Sequence, residues 1–105
     1  MNVKVTKEAE RTIAEIMGRV DTTTAPEFQK LITDVMLEKP KRLILDCSQL
    51  EYISSAGLRA LLIIAKTAKA GGINVNLCAL TDFVVDVLAT SGFDSFFEIK
   101  ANRDE

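Results

Sequence analysis

The chain has 105 residues, is 48% hydrophobic and 27% charged, and carries a net charge of −2. That length suits one domain, residues 1–105, able to bury roughly 60 to 70% of its unfolded surface without a metal or disulfide staple. The acidic balance gives no electrostatic drive towards nucleic acid, and the apolar run from Leu58 to Ala65, broken by Arg59, is too short for membrane insertion.

The chain has no histidine, so Ser-His-Asp and Cys-His arrangements are excluded. Neither a Gly-x-x-x-x-Gly-Lys-Ser/Thr loop nor a Gly-x-Gly-x-x-Gly fingerprint occurs. The expectation is a protein that is not an enzyme, with no cofactor and no metal site. Met1 to Thr6 lacks a basic segment followed by an apolar one, which points to a cytoplasmic protein. Cys47 and Cys78 stand in or beside predicted strands and read as small buried hydrophobes.

In chain order, Val3 to Val5 alternates as a short edge strand and Thr12 to Met17 as a second, anchored by Ile13 and Ile16. Gly18-Arg19-Val20-Asp21 reads as a turn. Thr24-Ala25-Pro26-Glu27 is a helix start, with Thr24 as cap and Glu27 reaching back. Phe28, Leu31, Ile32, Val35 and Met36 then form one apolar face. After Pro40, the continuous apolar run of residues 42 to 46 suits a parallel strand covered on both faces, with Asp46 closing it. A second helix begins near Ser54 or Ser55 and stops at Gly71-Gly72.

Ile73 to Ala79 is a further strand, and Thr81 caps a third helix running to about Thr90 with Val84, Val85, Val87 and Leu88 as its apolar contacts. Ser91-Gly92 ends it, Phe96 to Ile99 gives the last strand, and residues 101–105 fray. The order β-β-α-β-α-β-α-β predicts an α/β domain with a mixed, mostly parallel sheet of about five strands and packed helices. Right-handed crossovers bring Asp46 and the Ser54-Ser55 segment to one edge of it.

The second helix is unusually apolar. Gly57, Ala60, Leu61, Ile64, Ala65 and Ala68 share one face, Arg59, Lys66 and Lys69 form a narrow polar stripe, and Leu62 and Ile63 fall beside it. They are read either as covered by neighbouring loops or as a partner surface. Ser54 and Ser55 likewise have two local readings: helix caps, or phosphoacceptors placed where a helix N-terminus favours an anion.

The segment Asp46-x-Ser48-x-Leu50-x-Tyr52-Ile53-Ser54-Ser55-x-Gly57-Leu58 resembles the signature of STAS domains, in particular the bacterial anti-sigma-factor antagonists. Gly18-Arg19-Val20-Asp21, Gly71-Gly72 and Thr90-Ser91-Gly92-Phe93 look like other parts of the same pattern, so the resemblance covers nearly the whole chain. It implies transcription regulation by partner switching. The antagonist binds an anti-sigma factor that is also a serine kinase and so releases a sigma factor. The kinase phosphorylates it, and a serine phosphatase resets the phosphoprotein.

Aligned on Gly57-Leu58, the phosphoacceptor is Ser55, with Ser54 as second choice. Ser54 stands where many antagonists carry aspartate, and Ala56 where some carry a second hydroxyl. The partner surface implied comprises Asp21, Thr23, Ser54, Ser55, Ala56, Gly57, Leu58, Arg59, Leu62 and Ile63, on a monomer or weak dimer. The competing class is a constitutive STAS subunit of a lipid-transport ABC complex, with Ser55 a plain cap and Leu62 and Ile63 packed on a permease or ATPase. A stressosome-like scaffold is a third reading.

Overall fold

The computed structural model describes residues 1–92 and 97–102. The elements are β1 (Asn2–Lys7), β2 (Thr12–Val20), α1 (Ala25–Met36), β3 (Arg42–Ile53), α2 (Ser55–Ala70), β4 (Asn74–Cys78), α3 (Asp82–Ser91) and β5 (Glu98–Lys100), in the expected order. They form one five-stranded sheet ordered β1-β2-β3-β4-β5. β1 is antiparallel to β2 and the other pairs are parallel.

This order never reverses. Right-handed crossovers that always advance in one direction lay each helix on the same side of the sheet, and the packing agrees. Phe28 and Ile32 of α1, Leu61 and Ile64 of α2, and Val84 and Leu88 of α3 share one core with Ala14, Ile16, Leu43, Leu45 and Leu77 of the strands. The first half of β3 is nevertheless covered on both faces, as expected, since Leu43 and Leu45 on one side and Ile44 on the other are all buried. Ile44 alternates to the far face and packs there with Ile13 and Cys78. The polar chain Arg42 Nε–H to Asn76 Oδ1 (2.7 Å) and Asn76 Nδ2–H to Glu98 Oε2 (3.0 Å) lies on that same side.

Three strands are longer than expected, β1 by running from Asn2 to Lys7. β2 continues through Gly18 to Val20, so Gly18-Arg19-Val20 is strand instead of turn. β3 runs seven residues past Asp46, to Ile53. Pairing slips between Glu15 and Met17 and again between Gly18 and Arg19, each time with one more residue on β3 than on β2. Gly18, at φ +93°, takes a conformation that side chains resist. β4 pairs with β3 only as far as Asp46 and Cys78. Beyond that point β2 and β3 project together as a two-stranded tongue.

Asp46 is consequently mid-strand and only 5% exposed, with Oδ1 accepting from the Ser48 amide at 3.0 Å. At about 3.3 Å per residue it stands far from Ser54, so the expectation that both meet at one edge is corrected.

Leu31 (37%) and Val85 (40%) are exposed, at the margins of faces whose centres are buried. Both cysteines are buried thiols, and burial pushes the Cys47 thiol pKa up. β4 and β5 are shorter than predicted. Phe93 and Phe96 lie outside the described residues, as do residues 103–105. Among the described residues, no helix is long and apolar enough to cross a membrane.

Candidate functional site

The site is the junction where the tongue hands the chain to α2. The Ser54 amide donates to the Val20 carbonyl at 2.8 Å, tying the start of α2 to the end of β2. Ser54 has extended backbone and its Oγ accepts from the Gly57 amide at 3.2 Å, which makes it the N-cap. The Ser54 cap serves the Gly57 amide and leaves the amides of Ser55 and Ala56 without an intrahelical acceptor, and no acidic residue occupies that turn. Ser55 is the first helical residue, and it is exposed.

Gly57 explains how close the helix comes. A Cβ there would stand 2.6 Å from Ile53 Cγ1, 2.9 Å from Val20 Cγ1 and 3.0 Å from the Val20 carbonyl oxygen. Only glycine lets α2 rest directly on the ends of β2 and β3.

The loop before α1 is organised by Asp21, not by the expected Thr24 cap and Glu27 return. Thr24 has helical backbone and its side chain makes no cap bond, and Glu27 stands exposed. Instead Asp21 Oδ1 accepts from the amides of Thr23 (3.0 Å) and Thr24 (3.1 Å). The Thr24 hydroxyl accepts from the Asp21 amide at 2.9 Å and donates to the Arg19 carbonyl at 3.0 Å.

These bonds, the Thr24 amide foremost, hold the Asp21 carboxyl below the usual carboxylate pKa. A depressed folded pKa stabilises the fold above the unfolded value of about 3.9. That contribution is lost as pH falls through the folded value. In melting curves from pH 6 down to pH 2, the stability advantage of the parent over Asp21→Asn should shrink in acid; a difference constant with pH would contradict this.

Two grooves flank the N-terminal half of α2. One, of about 170 Å³, lies between α1 and α2 and is lined by Thr22, Pro26, Gln29, Ala56, Arg59 and Ile63 among others. The other, of about 500 Å³, lies between α2 and α3 and is lined by Leu58, Phe83, Asp86, Val87, Thr90 and Ser91. By helical periodicity Ser55, Arg59 and Leu62 share the outward face between them.

Of the residues expected on a partner surface, Ser55, Arg59, Ile63 and Thr23 are exposed, and Ser54, Ala56, Leu62 and Asp21 half-buried. Gly57 and Leu58 are buried, and Leu58 reaches the surface only as a groove wall. Asp21 has its carboxylate committed to its own loop.

One feature of the site was not read from the sequence. The Arg19 guanidinium lies 4.3 Å from the Tyr52 ring centre, and Tyr52 stacks on Phe83 at 6.0 Å. Arg19 and Tyr52 are paired across β2 and β3, and Phe83 comes from α3, so this stack fastens the tip of the tongue to the third helix.

A linearly ordered mixed sheet with its helices on one side, and a serine-capped helix seated on a glycine, define a STAS domain. The chain belongs to that family, whose model matches residues 1–105. Over 92 residues it is 34% identical to BtrV of Bordetella bronchiseptica, named as a candidate anti-sigma factor antagonist; the match covers 88% of this chain and 79% of BtrV.

Two solved structures share the fold. A candidate anti-sigma factor antagonist from Thermotoga maritima matches with a TM-score of 0.89 at 19% identity, over 97% of this chain and 88% of the other. An anti-sigma factor antagonist from Mycobacterium paratuberculosis matches with a TM-score of 0.84 at 23% identity, over 98% and 87%.

Proposed function

We propose that the chain is an anti-sigma factor antagonist switched by phosphorylation of Ser55. The observation that carries this reading is the division of labour between two adjacent serines: Ser54 is used up as the cap, whereas Ser55 stands exposed at the helix start. Membership of the STAS family and the name of BtrV support it. An anti-sigma factor with serine-kinase activity moves the γ-phosphoryl of ATP to Ser55 Oγ; ADP leaves and the hydroxyl proton is released. The phosphoryl group carries roughly −1.5 to −2 charges at pH 7, where the helix dipole and the first-turn amides favour an anion. Modification therefore leaves the fold intact and acts on the surface the partner meets.

Incubation with the cognate kinase and ATP, followed by fragment mass spectrometry, should place phosphate on Ser55. Ser55→Ala should fold, bind the kinase and remain unmodified. Phosphate on Ser54 alone would overturn the assignment. Capture of a transporter permease or ATPase in place of a kinase-fold partner would overturn the function.

A further inference from the structure

Ser55 and Arg59 are one helical turn apart, and both are exposed. Helical side chains lean towards the N-terminus, so the side chain at i+4 reaches back over residue i. Their Cβ atoms are then about 5 to 6 Å apart, and an anion at i with a cation at i+4 is the favourable order. Among the described residues Arg59 makes no ion pair. It instead lines the groove between α1 and α2 beside Ala56 and Ile63.

Neighbouring charges are otherwise engaged. Arg19 is stacked on Tyr52, and Asp21 is bound by the amides of its loop. Lys66 lies eleven residues along from Ser55, roughly 16 Å at 1.5 Å per residue.

We propose that Arg59 is an internal clamp for a phosphoryl group on Ser55 and is drawn out of the α1–α2 groove when that group is attached. The inference rests on the reading of Ser55 as the phosphoacceptor. The planar guanidinium pairs two donors with two phosphoryl oxygens. Phosphorylation then does two things to a partner seated on α2: it adds an anion at the ridge and withdraws a cation from the groove.

The test needs no kinase. Phosphoserine is installed at position 55 during translation, and the second phosphate ionisation is followed by ³¹P NMR. Arg59→Gln should raise that pKa by roughly 0.15 to 0.4 unit, and Arg59→Lys should raise it less. Lys66→Gln, an equal loss of charge farther along the helix, should leave it nearly unchanged. The Arg59 Nε–H resonance should also move when phosphoserine replaces serine. Equal shifts for Arg59→Gln and Lys66→Gln, or no shift for Arg59→Gln, would overturn the clamp. A clamp that passes this test on a chain that its kinase never modifies would leave the clamp standing and defeat only the proposed function.

Discussion

Gly57→Ala should lower the melting temperature by roughly 10 °C, although alanine is the better helix former. The two effects oppose each other, and magnitude decides between them. Replacing glycine within a helix favours alanine by about 0.5 to 1 kcal/mol. Forcing a methyl group into closed space costs about 1 to 3 kcal/mol or more, and here the added carbon would sit 2.6 Å from Ile53 Cγ1 and 3.0 Å from the Val20 carbonyl. That carbonyl accepts the Ser54 amide, so lifting the helix to relieve the clash also breaks the bond that seats the cap. A net loss of about 2 kcal/mol corresponds to roughly 8 to 16 °C for a domain near this size. Calorimetric melting checks it, and a variant melting at or above the parent would show that the approach is not tight.

Ser55→Asp should weaken the complex with the kinase partner about 10- to 100-fold while leaving the fold unharmed. A carboxylate at the first turn is favoured by the helix dipole by a few tenths of a kcal/mol, up to about 1, and it replaces no buried contact because Ser55 is exposed. At a binding surface the same charge is desolvated and faces groups arranged for a neutral hydroxyl. Every 1.4 kcal/mol lost there is a factor of ten. Titration calorimetry against the partner, with a thermal melt alongside, separates the two consequences. Unchanged affinity would remove charge as the basis of the switch.

The order of elements was legible because apolar periodicity changes cleanly between strands and helices, and a serine cap was legible from residue type. Residue type left Ser54 and Ser55 as equal candidates until the Ser54 Oγ bond to the Gly57 amide chose between them. The elongated strands were not legible. Ser48, Gln49 and Glu51 look like loop residues because this part of β3 runs past the end of β4, where outward side chains meet solvent. Gly18 looks like a turn because its positive φ serves a slipped register inside a strand. Thr24 followed by Pro26 mimics a capping sequence, yet Asp21 captures the loop amides first. The Tyr52–Phe83 stack joins residues from separate elements, and no local pattern announces it.

The strictly sequential strand order also bears on how the molecule assembles. Thr12 meets Leu43, Arg42 meets Asn74, and Asn76 meets Glu98. Each parallel pairing thus closes over a single intervening helix, never over two. Loop-closure entropy rises only slowly with length, and low sequence separation between contacting residues speeds folding. The sheet can therefore grow by accretion, one strand and one helix at a time in the order in which a ribosome releases them, and the serine junction is complete before β4 has to be in place.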